Sequence, residues 1–204
     1  MKIGIDMGHG GINPITGKYV TPGKRSPNPV DGEVFYEGVN NRRFGKAWGE
    51  ALEREGNEVV YITDPNDYKD INLTTRVRIA NAHNLDFLIS IHSNGATDKR
   101  ARGHEVFTSI GHTASDIFAD IWGEEWKEEF PELKYRHGKQ GANGKEALFT
   151  IIAGNRHVTP NYEALLVELE FHTNDDAVRL MRTDEFLNRT IKVLLHTVRA
   201  YKVK

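Results

Sequence analysis

The N-terminal stretch KIGIDMGHGG (residues 2–11) decides the fold class, because it places a short apolar strand directly before a glycine-rich turn. Strand-like and helix-like stretches then alternate along the chain. Strands are predicted at 2–6, 58–63, 86–93, 103–109, 148–152 and 163–171, and helices at 36–55, 72–84, 113–128 and 184–201. This alternation predicts an α/β fold: a single domain with a central twisted sheet, mostly parallel or mixed, flanked by helices.

Composition excludes several classes of function. A net charge of -2 without a basic stripe argues against a nucleic-acid partner. The absence of cysteine excludes disulfide bonds and thiolate metal sites. No apolar run approaches the roughly 20 residues that a membrane-spanning helix needs, so no membrane partner is expected. The N-terminus is typical of a strand and a turn rather than of a signal peptide.

The glycine-rich turn resembles a phosphate-binding loop only superficially. A dinucleotide or P-loop site requires a helix to begin directly after the glycines. Here the turn is followed by residues that break helices, at Pro14, Gly17, Pro22, Pro27 and Pro29. We therefore expect the glycines to let the backbone turn sharply and to leave His9 at the C-terminal edge of the sheet, where ligands bind in open α/β folds.

A second histidine occupies a matching position. His92 ends the third predicted strand, as His9 follows the first. Each alone is typical of a hydrogen-bonded core histidine, but two at one sheet edge suggest a metal site. Catalytic zinc commonly takes three protein ligands and leaves one position for water. The third ligand is expected from Glu33 or Glu37, with Glu37 favoured because it falls inside a helical pattern, and His172 remains an alternative ligand.

The last predicted strand, EALLVELEF (163–171), carries Glu168 and Glu170 on one face. Carboxylates in so apolar a strand are costly unless they are paired, metal-bound or protonated, which makes both candidates for general acid/base chemistry. A structural ion pair is the alternative for either residue. His104 and Glu105 begin like the metalloprotease pattern H-E-x-x-H, but Thr108 replaces the second histidine. We expect that pair to be ordinary strand surface.

Taken together, these segments resemble the zinc-dependent N-acetylmuramoyl-L-alanine amidases of the amidase type 3 family. The resemblance runs from Lys2 to about Val198. It rests on IGIDMGHGG followed by TPG, on YEGVNNRRFGKAW, on LTTRVRIANAHNLDFLISIHSNGA and on LLVELEFHTNDDA. No single segment is decisive, whereas the ordered set is specific.

The resemblance implies that His9, Glu37 and His92 bind Zn²⁺ and that Glu168 is the catalytic acid/base. The implied reaction hydrolyses the amide between N-acetylmuramic acid and L-alanine in peptidoglycan. Glu170 departs from the family pattern, which usually has glycine there, and leaves open which glutamate acts. The stretch between Gly11 and Glu37 is longer than in compact members, which keeps Glu33 as an alternative ligand.

The same comparison sets expectations for the rest of the protein. One catalytic domain is expected over 1–204, without a separate wall-binding domain. The chain resembles a phage endolysin, made in the cytoplasm and released to the cell wall by a route other than a signal peptide. Two alternatives remain: a glycosidase using Glu168 and Glu170, and a non-catalytic wall-binding or regulatory module. No substrate-binding residue is assigned; loop 12–35, with Lys24 and Arg25, is expected to be solvated, and substrate contact is its alternative.

Overall fold

A computed structural model describes residues 1–203, which form a mixed sheet flanked by helices. The strands are β1 (Lys2–Met7), β2 (Glu58–Tyr61), β3 (Phe87–Asn94), β4 (Glu105–Thr108), β5 (Lys145–Glu146) and β6 (Glu163–Phe171). The helices are α1 (Glu37–Arg54), α2 (Leu73–Ala82), α3 (Ala114–Glu129), α4 (Thr150–Ala153), α5 (Asp175–Arg182) and α6 (Asp184–Lys202), with a 3₁₀ turn at Lys139–Gly141.

The six strands follow the order β2-β1-β3-β6-β4-β5. The first four run parallel, β4 runs antiparallel to β6, and β5 runs parallel to β4. The predicted α/β class with a mostly parallel or mixed sheet is therefore confirmed. No helix within residues 1–203 is long and apolar enough to cross a membrane.

Each face of the sheet has its own hydrophobic core. Alternate residues of the central strands, such as Ile5, Ile89 and Val167, face α1, α3 and α6. The neighbouring residues Leu88 and Leu166 point to the other face of the sheet, where they pack with α2 and α4 in a smaller core. Because strand side chains alternate between faces, the same register that buries both sets also fixes the direction of polar residues at the strand ends.

The register brings the candidate site residues to one edge. Met7 pairs with Ile91, and His92 pairs with Glu168. Since β1, β3 and β6 are parallel, their carboxyl ends meet at the same edge of the sheet. A bulge follows, because three residues of β3 (92–94) lie opposite four residues of β6 (168–171).

The predicted strand at 148–152 is wrong, because its second half forms the short helix α4. Ile151 and Ile152 are both buried in the core beside α2. Adjacent residues of a strand point to opposite faces, whereas one helical turn directs both isoleucines into the same core. Short apolar runs do not distinguish these cases by periodicity alone.

Two short elements were not predicted. Strand β5 lies between the predicted elements and pairs with β4 at the edge of the sheet. Helix α5 begins after Asn174, whose side chain accepts a hydrogen bond from the amide of Ala177 at 3.0 Å. Its opening NDDA is typical of a capped helix start, so a local signal was available.

Candidate active site

The turn after β1 differs in one respect from the expectation based on its glycines. Its positive φ belongs to His9 (φ 66°), while Gly8, Gly10 and Gly11 keep ordinary backbone angles. The glycines serve close approach instead: a Cβ on Gly8 would overlap the His92 ring, and one on Gly10 would overlap Val20. The absence of these side chains therefore gives the imidazoles room.

Polar side chains hold this turn from three directions. Asn41, one turn after Glu37 in α1, donates to the Gly8 carbonyl at 3.0 Å. Arg42 Nη1 donates to the His9 carbonyl at 2.8 Å. Arg76 Nη1 donates to the Met7 carbonyl at 2.7 Å and to the Asp6 carboxylate at 2.8 Å. Sequence reasoning did not single out either arginine, since each lies within an ordinary helical pattern.

His9, Glu37 and His92 converge at this edge. One ligand atom from each lies within 4.8 Å of the others, and within residues 1–203 this is the only group of three such residues so arranged. Glu37 Oε1 lies 3.1 Å from His92 Nδ1 and 3.4 Å from His9 Nε2. The amide of Ser93 donates to the same oxygen at 3.1 Å. The group thus joins the turn after β1, the start of α1 and the end of β3.

Electrostatics at this group favour positive charge between the three side chains. Burial raises the pKa of Glu37, but the adjacent imidazoles of His9 and His92 outweigh burial and hold that pKa well below its usual range. Burial lowers the pKa of His92, and the Glu37 carboxylate more than reverses that effect. His9 Nε2 and Glu37 Oε2 are buried without a hydrogen-bond partner. Two imidazoles and a carboxylate with free, buried ligand atoms fit a divalent metal such as zinc.

Glu168 lies beside this group, paired across the sheet with His92. Its Oε2 is buried without a hydrogen-bond partner. Burial raises the pKa of Glu168 to about 8, and the nearby Glu37 and Glu105 carboxylates add to that rise against the opposing charges of His92 and Lys24. A carboxyl group with such a pKa can both accept and donate a proton near neutral pH.

The alternative carboxylates lie elsewhere. Glu170 accepts hydrogen bonds from Arg102 Nε at 3.1 Å and from the Gly103 amide at 2.9 Å, so it forms a structural ion pair. Glu33 is exposed, and its backbone closes a small turn with Val30. The geometry therefore separates Glu168 from Glu170, and Glu37 from Glu33.

His172 borders the group without joining it. Its Nδ1 lies 2.9 Å from the Ser93 carbonyl oxygen and therefore carries the proton. The same nitrogen is 3.8 Å from Glu37 Oε2. Although His172 was the alternative ligand, the structure turns its protonated nitrogen toward the backbone.

The expectation that His104 and Glu105 form strand surface is wrong. His104 is fully buried, stacked on Trp126, and accepts a hydrogen bond at Nε2 from Trp122 Nε1 at 2.9 Å. Glu105 is 5% exposed and pairs with Arg136 and Lys145. Helix α3 covers this side of β4, which the local sequence did not indicate.

A cleft of about 720 Å³ opens above the group. Residues 22–27 form part of its wall, as do residues 93–97 with His172 and Thr173. Glu37, His92 and Glu168 line it as well. A polymer or peptide in the cleft can therefore contact these three residues together with both segments.

Known proteins are similar to this chain over nearly its whole length. The Amidase_3 family model, described as N-acetylmuramoyl-L-alanine amidase, matches residues 3–199. The N-acetylmuramoyl-L-alanine amidase AmiA of Escherichia coli is 22% identical, covering 97% of this chain and 74% of AmiA.

Solved structures show the same fold. The amidase AmiC2 of Nostoc punctiforme has a TM-score of 0.77 at 20% identity, with coverage of 100% of this chain and 98% of the other. The catalytic domain of the CD27L endolysin targeting Clostridia Difficile has a TM-score of 0.69 at 17% identity, covering 98% and 97%. An N-acetylmuramoyl-L-alanine amidase and the catalytic domain of an endolysin thus share this fold. Because the family model spans almost the entire chain, this protein belongs to the N-acetylmuramoyl-L-alanine amidase family and is an enzyme of that class.

Proposed function

We propose that this chain hydrolyses the amide between N-acetylmuramic acid and L-alanine in peptidoglycan with Zn²⁺ held by His9, Glu37 and His92, and with Glu168 as acid/base. The observation that carries the proposal is the convergence of the three ligand atoms within 4.8 Å beside an unpartnered, buried carboxyl oxygen. Bound zinc would polarise the scissile carbonyl and lower the pKa of a nearby water.

The protein's own groups then have separate tasks. Glu37, fixed by the Ser93 amide, orients both imidazoles through its Oε1. Glu168 Oε2 takes the proton of the attacking water and delivers it to the departing alanine amine. The raised pKa of Glu168, about 8, follows mainly from its burial, and a bound cation would lower it toward the working range of a base.

The two alternative functions have less support. A glycosidase needs two carboxylates that flank the scissile bond. Glu170 is instead engaged by Arg102 and the Gly103 amide, and the histidine group would have no role in that reaction. A non-catalytic module would not require an unpartnered, buried carboxyl oxygen beside a complete ligand group.

The experiment is digestion of purified peptidoglycan with and without a chelator. We expect new L-alanine amino groups, abolished by chelator and restored by Zn²⁺. New reducing sugar ends would indicate a glycosidase, and binding without cleavage would indicate a module.

Variants then test the role of Glu168. We expect Glu168→Gln to retain zinc and to lower the rate by about 10²- to 10⁴-fold, the usual contribution of general acid/base catalysis. Glu170→Gln is the matched control, expected to reduce stability through loss of the Arg102 ion pair while activity persists. The opposite pattern would assign the acid/base role to Glu170.

The place of action follows from the substrate. As a peptidoglycan amidase the protein acts on the cell wall, and we propose that it reaches the wall when the producing cell lyses, as an endolysin does. Detection of the protein in the medium only after lysis of the producing cell would support this route.

A further inference from the structure

The loop at 12–35 is expected to be solvated, and Lys24 and Arg25 are indeed exposed, but residues 22–27 of this loop also form part of the cleft wall. Pro22, Gly23, Lys24, Arg25, Ser26 and Pro27 all line the cleft. Residues of this wall therefore face any substrate whose scissile bond reaches Glu168.

Hydrogen bonds hold this wall in place. The Lys24 carbonyl accepts from the amide of Glu37 at 3.0 Å, which joins the loop to the first residue of α1. Two residues further on, the Ser26 amide donates to the Phe35 carbonyl at 2.8 Å, and Ser26 Oγ accepts from the Phe35 amide at 3.0 Å. Arg182 binds the Val30 carbonyl at 2.8 Å. The position of Lys24 is thus set by the helix that carries a metal-ligand candidate.

The Lys24 side chain is exposed in the cleft and has no acidic partner. Among residues 1–203, no carboxylate lies within 4.0 Å of its ammonium group. Its charge therefore faces the cleft without a neutralising partner.

The substrate offers a group for this charge. For Glu168 to act on the scissile amide, the L-alanine nitrogen must lie beside it in the cleft, and the stem peptide continues from there. Two extended residues span about 7 Å, so the second residue of the peptide lies within reach of the walls. A free carboxylate on that residue would lie within reach of the Lys24 ammonium, whereas a carboxamide there would carry no charge.

We propose that Lys24 is a specificity-determining residue that binds a carboxylate of the stem peptide near the scissile amide. The inference rests on the proposed amidase function and adds the recognised group. A charged carboxylate accepts a charge-assisted hydrogen bond from the ammonium, whereas a carboxamide loses the ionic part of that interaction.

The test compares two synthetic muramoyl peptides that differ only in a carboxylate or a carboxamide at the second residue. We expect the unmodified enzyme to prefer the carboxylate by about 10-fold in kcat/KM, the range of a hydrogen bond to a charged group. Lys24→Gln should remove this preference through KM, with kcat retained. Lys18→Gln is the matched control, because Lys18 is exposed on the same loop but does not line the cleft.

A binding measurement separates this inference from the proposed function. Calorimetry with the Glu168→Gln protein measures affinity for the same peptides without turnover. If adding Lys24→Gln weakens binding of the carboxylate peptide but not of the carboxamide peptide, the result supports the subsite. This holds even if the unmodified enzyme shows no cleavage, in which case only the amidase proposal fails. Equal loss for both peptides, or an equal effect of Lys18→Gln, would overturn the role of Lys24.

Discussion

His9 adopts a left-handed backbone conformation that costs a non-glycine residue about 1–2 kcal/mol. The guanidinium groups of Arg42 and Arg76 bind the carbonyls on either side of this strained position. The Asp6 carboxylate, on β1, lies 2.8 Å from Arg76 Nη1 and fixes that guanidinium. Ser90, on β3, donates a 2.6 Å hydrogen bond to the same carboxylate. The strained turn at His9 is thus held by two buried arginines, of which Arg76 is paired with Asp6.

His104 supports the first prediction at this scale. Burial lowers the pKa of His104 to about 3, and Trp122 donates to its unprotonated Nε2. The unfolded chain binds this proton near pH 6.5, whereas the folded protein does not. Stability is therefore fully present above about pH 6.5 and falls toward pH 3, by about 1.4 kcal/mol per pH unit from this residue.

Urea unfolding at pH 7, 6 and 5 measures that slope. We expect His104→Gln, whose amide can still accept from Trp122, to reduce the slope of the unfolding free energy against pH. The reduction should be about 1.4 kcal/mol per pH unit, the contribution of one proton. His112→Gln, at an exposed histidine, should leave the slope unchanged. Parallel slopes for the His104 variant and the unmodified protein would contradict the prediction.

The end of β6 shows how one element separates two similar residues. Glu168 and Glu170 are two positions apart, and simple alternation predicts a shared face. The bulge between His92 and Asn94 of β3 and their partners in β6 interrupts the pairing at this point. Glu168 remains at the cleft, while Glu170 binds the backbone and side chain of the segment before β4.

Helix α1 supports a second prediction through its contact with the turn after β1. A Cβ on Gly38 would overlap the Gly10 carbonyl oxygen, and neither backbone is free to move away. We expect Gly38→Ala to lower the free energy of unfolding by about 3 kcal/mol, the upper range for overpacking. The gain of about 1 kcal/mol in helix propensity is too small to compensate.

The control is the next residue of the same helix. Val39 is 40% exposed, so Val39→Ala should change stability by no more than about 0.5 kcal/mol. Chemical denaturation of both variants gives the comparison. An unchanged denaturation midpoint for Gly38→Ala would contradict the prediction, because it would show that the turn and the helix can move apart without loss of stability.

At the scale of the whole molecule, the candidate metal centre joins parts of the chain that are far apart in sequence. His9, Glu37 and His92 belong to the turn after β1, to α1 and to β3, and Glu168 belongs to β6. A metal that binds only when these elements are assembled stabilises the folded state.

This linkage gives the third prediction. Zn²⁺ at 100 times its Kd should stabilise the protein by about 2.7 kcal/mol, which corresponds to a Tm increase of roughly 5–10 °C for a chain of this size. His92→Ala should abolish the increase, whereas Glu168→Gln and His83→Ala, at an exposed histidine, should retain it. Differential scanning calorimetry of dialysed protein measures the shift, and a Tm independent of zinc in the unmodified protein would refute the metal site.

The sequence by itself determined the fold class and the composition of the candidate site. Strand and helix periodicities are local properties, and parallel strands carry their C-terminal residues to a common edge, which predicted His9, His92 and the two glutamates of β6 near that edge. The choice of Glu37 and Glu168 among the acidic candidates came from the family resemblance. Only the tertiary structure decided the rest. The bulge that separates Glu170 from Glu168, the burial of His104 under α3 and the position of Lys24 in the cleft wall all depend on contacts between distant segments, which no local pattern encodes.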